Sequence, residues 1–292
     1  MKHLTYTARD GLEITAYRWD PPGLPRAVVQ LTHGMGEHVL RYHELATTLN
    51  EHGFAVYGQD HRGHGASAAG PLGQIGATGW VELVNDIGLL SDRVRADHPG
   101  LPLVLLGHSM GSFAVQQYLL DHSDRVDAAV LSGTAAIDLL EPTLDLDAEL
   151  DLTAFNAPFA PARTDFDWLS RDDAQVDAYV ADPNCGFVLD AAATKAMFVG
   201  ARAVADPARL AAMRPGLPVY IVVGDQDPVG GQLALVYELV ARYGRIEEVT
   251  LRVHPGARHE VFNETNRAEV VTGLLTWLNS VLVRPSPERE TR

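Results

Sequence analysis

The chain of 292 residues holds a single cysteine, Cys185. No intrachain disulfide can brace it, and cysteine use this sparse fits a reducing compartment. Cys185 reads as a small buried residue rather than a nucleophile. Cations are scarce as well: 23 Lys and Arg stand against 38 Asp and Glu, a formal net charge of −15. Such a surface repels nucleic-acid phosphates and offers no polybasic segment to an anionic membrane, which argues against DNA or RNA as a partner. No run approaches membrane-spanning length, and the opening Met1-Lys2-His3-Leu4-Thr5-Tyr6 lacks the apolar core of a signal peptide. The expected location is the cytoplasm. Internal repeats and low-complexity linkers are also missing, which favours one large domain carrying an insertion over two separate halves.

What the chain does have is a regular alternation of strand and helix patterns. Residues 4–8 and 12–19 read as a hairpin turned at Asp10-Gly11. Strand patterns follow at 27–31, 55–58, 103–106 and 128–131, and return at 219–223 and 248–253. Helical spacing fills 42–52, 80–98, 231–243 and 266–282 between and after them. Alternation of this kind predicts a mostly parallel sheet covered on both faces, with ligands bound at the carboxyl ends of its strands. From 134 to 213 the alternation stops, and acidic turns, scattered aromatics and short helical stretches such as 194–204 take over. This segment is the insertion. The polar tail 285–292 is expected to be disordered.

The most informative stretch is Leu103-Val104-Leu105-Leu106-Gly107-His108-Ser109-Met110-Gly111. An apolar strand runs straight into Gly-x-Ser-x-Gly and then into a buried helix, so the serine sits at the apex of a tight elbow with its hydroxyl pushed out of the sheet. A hydroxyl is a poor nucleophile near neutral pH, and Ser109 therefore needs a histidine base and an acid to orient it. His259 is the one histidine that lies both late in the chain and just after a strand. Two aspartates compete for the acid in Gly224-Asp225-Gln226-Asp227-Pro228. Asp227 is favoured, three residues past the glycine and held by the proline, while Asp225 reads as a turn former. The tetrahedral oxyanion would take the backbone N–H of Met110, which opens the helix, and that of Met35 in His33-Gly34-Met35-Gly36. Asp60, Arg62 and His64 read as an internal ion pair with hydrogen bonds that fix a loop. The histidines around Glu37 lack metal-ligand spacing, so neither a metal site nor a cofactor is expected.

Five motifs together carry a resemblance: His33-Gly-Met-Gly-Glu-His38, Asp60-His-Arg-Gly-His-Gly65, Gly107-His-Ser-Met-Gly111, Gly224-Asp-Gln-Asp227 and Gly256-Ala-Arg-His259. The chain resembles the α/β-hydrolase fold, and within it the monoacylglycerol lipase and lysophospholipase-like branch that is grouped with S33 serine aminopeptidases. The resemblance implies an eight-stranded, mostly parallel sheet with helices on both faces and a helical cap inserted after the sixth strand. It divides the chain into core 1–133, cap 134–213, core 214–284 and tail 285–292. It also supports Asp227 over Asp225 as the acid.

In such relatives the insertion covers the nucleophile, and Phe155, Phe159, Trp168, Phe187 and Phe198 are its candidate pocket residues. An apolar pocket suits an acyl chain, each buried methylene contributing about 0.8 kcal/mol. The expected reaction is hydrolysis of a single-chain ester, a monoacylglycerol or lysophospholipid, through an acyl-enzyme. The small-molecule partner would be an ester with an apolar acyl group, and homo-oligomerisation is left open. The acidic run Asp138, Glu141, Asp145, Asp147, Glu149 and Asp151 reads first as a solvated face, and second as a site for a cationic group, which would suit a peptidase or amidase on the same triad. A non-catalytic receptor on this fold is the third reading.

Overall fold

The computed structural model describes residues 1–148, 150–244 and 248–282. The expected disordered tail and Glu149 of the acidic run lie outside the described residues. Eight strands form one sheet: β1 (Lys2–Thr7), β2 (Glu13–Trp19), β3 (Ala27–Thr32), β4 (Phe54–Gln59), β5 (Leu103–His108), β6 (Ala128–Ser132), β7 (Pro218–Gly224) and β8 (Glu248–His254), in the order β1-β2-β4-β3-β5-β6-β7-β8. β2 runs antiparallel to both β1 and β4, and every other neighbouring pair is parallel. The eight-stranded, mostly parallel sheet expected from the sequence is what the chain forms.

β3, β4, β5 and β6 are buried along their whole length, because helices cover both faces. The two-residue period sorts their side chains between the layers. Val104 and Leu106 belong to the layer that holds α1 (His43–Glu51) and α8 (Arg267–Leu282), whereas Leu105 belongs to the layer of α2 (Gly76–Asp97), α3 (Met110–His122) and α7 (Ala234–Tyr243). Between β6 and β7 the chain leaves the sheet for a series of short helical turns and three helices, α4 (Asp173–Ala181), α5 (Ala191–Ala201) and α6 (Pro207–Ala211).

Three helix starts differ from the sequence expectation. α7 begins at Ala234 rather than 231, because Gly231, Gln232 and Leu233 all hold positive φ and cannot join a right-handed turn. α2 begins at Gly76 rather than 80, and α5 at Ala191 rather than 194, and one side chain accounts for both. The Asp190 carboxylate accepts from Ala193 N at the head of α5, and from Ile75 N and Gly76 N, 2.8 Å each, at the head of α2. For α2 the cap comes from 114 residues away and leaves no local signal in the sequence, whereas for α5 it is the residue just before the helix.

Candidate active site

Ser109 sits between β5 and α3 with φ 50° and ψ −124°, a conformation strained for a residue with a β-carbon. The flanking glycines make the turn feasible. A β-carbon on Gly107 would stand 2.6 Å from Gly111 O, and one on Gly111 only 2.2 Å from Thr32 O. Ser109 N donates to Ser132 O at 2.9 Å, which pins the elbow to β6.

Asp227 follows β7. Its Oδ1 accepts from Val229 N at 2.9 Å, and this fixes the carboxylate so that Oδ2 lies 2.9 Å from His259 Nδ1. An ionised carboxylate only accepts, so Nδ1 carries the proton and Nε2 is left as the base. Asp225 plays the turn role read for it: its Oδ1 accepts from Gly256 N at 2.7 Å and ties the acid loop to the histidine loop. His259 is buried. Burial disfavours its cation, but the charge and hydrogen bond of Asp227, with Glu260 and Glu37 further off, outweigh that effect and hold its pKa above the ordinary histidine value.

The imidazole of His259 is clamped between two rings, with centroids 4.7 Å from His108 and 4.9 Å from Trp168. Gly133 makes room for this stack, since a β-carbon there would lie 2.8 Å from His108 Cε1 and 2.9 Å from His259 Cε1. Burial, and then the neighbouring His259, lower the pKa of His108 to about 4, so it stays neutral beside the base.

Met35 lies in a loop braced from both sides. Glu37 Oε1 accepts from Gly34 N at 2.5 Å and from Tyr42 OH at 2.7 Å. Arg41 bridges Glu37 and Glu260 at 2.6 Å each, so one cation joins this loop to the residue after His259. On the other side, Gly36 O accepts from Tyr179 OH at 2.8 Å and from Gly186 N at 3.0 Å, both supplied by the segment between β6 and β7. The N–H of Met110 opens α3 and has no acceptor within its own helix. Beneath the loop, His33 Nε2 accepts from His61 N at 2.9 Å, and burial holds both imidazoles well below the ordinary range.

Asp60, Arg62 and His64 do fix loops, but the expected ion pair between the first two is corrected by the structure. Arg62 reaches Asp86 at 2.9 Å and Asp10 at 2.8 Å instead. Asp60 accepts from Val39 N at 3.0 Å and Ala66 N at 2.9 Å, as the chain turns away from Arg62 at Gly63.

Ser109, Met35, Met110 and His259 open onto one cavity of about 460 Å³, with Asp227 behind His259. Of the five aromatics expected on its wall, Phe155, Trp168 and Phe198 line it. Phe159 and Phe187 do not. Phe159 lies under the Arg258 guanidinium, 4.2 Å away, and Phe187 packs on the His64 ring at 4.9 Å. Aromatic content alone does not say which side of a loop faces inward. Phe113 and Val229 line the cavity and were missed, because apolar residues near the start of a buried helix and just after the acid read as core. Three of the acidic run form pairs within the chain, Asp138 with Arg242 at 2.8 Å, Asp147 with Lys195 at 2.8 Å, and Glu141 with Arg202, while Asp145 and Asp151 line the cavity.

No described helix is long and apolar enough to cross a membrane. A family model described as serine aminopeptidase, S33, matches residues 23–266. A monoacylglycerol lipase of Mycolicibacterium smegmatis is 37% identical over 279 residues, 93% of this chain and 95% of that protein. The human monoglyceride lipase is 28% identical, covering 87% of this chain and 82% of its own. Among solved structures, a carboxyl esterase of Bacillus coagulans in complex with glycerol superposes with a TM-score of 0.86 at 27% identity, over 97% of this chain and 99% of that one.

Proposed function

The chain belongs to the S33 serine aminopeptidase family of α/β-hydrolases, and from that membership we propose that it is a serine ester hydrolase whose substrates are monoacylglycerols. Ser109 is the nucleophile, His259 the base and Asp227 the orienting acid. The observation that carries this reading is the 2.9 Å contact between His259 Nδ1 and Asp227 Oδ2, on the rim of an apolar cavity that Ser109 shares.

His259 Nε2 takes the hydroxyl proton as Ser109 Oγ attacks the ester carbonyl, and Asp227 stabilises the imidazolium. The N–H groups of Met35 and Met110 receive the oxyanion. Collapse of the tetrahedral intermediate breaks the bond to the alcohol, to which His259 returns the proton. Water, activated by the same base, then attacks the acyl-Ser109 ester and releases the fatty acid. Residues 134–213 act as the cap, and their Phe155, Trp168 and Phe198 hold the acyl chain.

The lining also favours one head group over another. Among the described residues no Lys or Arg lines the cavity, whereas Glu37, Asp145, Asp151 and Glu260 do. A neutral glycerol suits those walls better than the phosphate of a lysophospholipid. The relatives named as monoacylglycerol and monoglyceride lipases support the same choice. A fluorophosphonate probe is expected to label wild type and not Ser109→Ala, with the variant folded and its turnover down by about 10⁴-fold or more. Monoacylglycerols should be cleaved faster than lysophosphatidylcholine and faster than aminoacyl anilides. Preference for the phosphate-bearing lipid would overturn the head-group assignment, and undiminished labelling of Ser109→Ala the nucleophile.

A further inference from the structure

The fold brings together three potential ligand side chains that the reaction does not use. His38 stands at the start of the turn that follows the Met35 loop, while Asp182 and Cys185 lie just beyond the end of α4. One ligand atom from each lies within 4.8 Å of the other two. His38 Nε2 is 2.9 Å from Asp182 Oδ2, a pairing across 144 residues of sequence. We propose that His38, Asp182 and Cys185 form a binding site for one thiophilic divalent cation of the Zn²⁺ class, which clamps the cap segment to the Met35 loop.

The donor set fits such an ion. One imidazole nitrogen, one thiolate and one carboxylate oxygen are the three ligand types Zn²⁺ takes, and three protein ligands leave a fourth tetrahedral position for water. The residues are half-buried rather than sealed, so an ion can reach them. They are also preorganised. Asp182 Oδ1 accepts from Asn184 N at 2.8 Å, which turns Oδ2 toward His38. Cys185 N donates to Asp182 O at 3.0 Å, and Gly186 N donates to Gly36 O at 3.0 Å, which holds the two segments at their present separation. The local charge favours a cation, since Arg41 is set against Glu37 and Glu260 and Asp182 adds a third carboxylate, while burial pushes the Cys185 thiol up, so that the ion must displace its proton.

On binding, the thiol proton leaves to solvent as the sulfur–metal bond forms. The proton that His38 Nε2 shares with Asp182 Oδ2 is exchanged through solvent for one on Nδ1, which frees the Nε2 lone pair, and the contact between Nε2 and Oδ2 gives way to two bonds to the ion. This is a structural clamp, not a participant in ester hydrolysis, and it stands whether or not the substrate assignment does.

The single cysteine makes the test unambiguous, because any thiolate-to-metal signal must arise at Cys185. Reduced protein is titrated anaerobically with Co²⁺ and followed by its near-ultraviolet thiolate-to-cobalt absorption. The expected result is a band that saturates at one Co²⁺ per chain and is displaced by Zn²⁺. Cys185→Ser abolishes it, and His38→Gln and Asp182→Asn each weaken Co²⁺ affinity by more than about tenfold, with folding checked by circular dichroism. Zn²⁺ raises the thermal midpoint of wild type and not of Cys185→Ser. Folded wild type without the band overturns the proposal. So does a band whose affinity is unchanged in His38→Gln and Asp182→Asn, since the cysteine would then be binding alone.

Discussion

At His259 two opposing effects meet, and their balance sets the working pH. Burial penalises the imidazolium, yet the Asp227 carboxylate more than compensates, so the folded pKa lies above the usual value. Catalysis needs the neutral base, and kcat/KM should therefore fall on the acid side with a midpoint above about 6.5, the unperturbed histidine value. Asp227→Asn removes the charge while keeping a polar group near Nδ1. Burial then dominates, and the acid limb should move to lower pH as kcat drops by about 10⁴-fold, read from a pH–rate profile of wild type and variant. An acid limb that stays in place would mean that Asp227 does not set the titration of the base. The linked stability runs the other way: a raised histidine pKa contributes stability below the unfolded value, and that contribution is lost as pH rises through the folded one.

At the scale of elements, the caps decide where helices begin, and the strongest cap here is not local. Asp190 serves the heads of α2 and α5 together, joining the core to the segment between β6 and β7. Asp190→Ala should destabilise the protein by about 1–2 kcal/mol for each helix start it leaves open, seen as a lower midpoint in urea. The same example shows what could be read in the sequence and what could not. Strand positions, the elbow around Ser109 and the places of Asp227 and His259 in the chain follow from short-range patterns: apolar runs, glycines where backbones touch, and polar residues at strand ends. The start of α2 depends on a contact across the fold, whereas α5 is capped locally by the residue just before it. Which aromatics face the cavity, and that Arg62 pairs with Asp86 and Asp10, were hidden for the same reason, because a periodic pattern marks a face and not the partner opposite.

For the whole molecule, the unusual store is buried neutral imidazole. His33, His61, His64 and His108 are buried with depressed pKa values, about 4 for the latter two. A depressed histidine adds stability above its unfolded pKa, and that stability is lost as pH falls toward the folded value. The window is thus from about 6.5 down to about 4, and His64 and His108 each contribute roughly 3 kcal/mol across it. The thermal midpoint should drop steeply through that interval, and replacing His64 by Gln should flatten the slope. An unchanged slope would place the acid sensitivity elsewhere.

The Trp168 ring resting on His259 has a consequence outside catalysis and stability. An indole in its excited state readily gives an electron to imidazolium and far less readily to neutral imidazole. Each proton that His259 takes up dims the emission of the tryptophan beside it. The protein thereby carries an optical gauge of its own base. Trp19, Trp80 and Trp277 also emit, so the gauge is the pH-dependent difference in emission between wild type and Trp168→Phe.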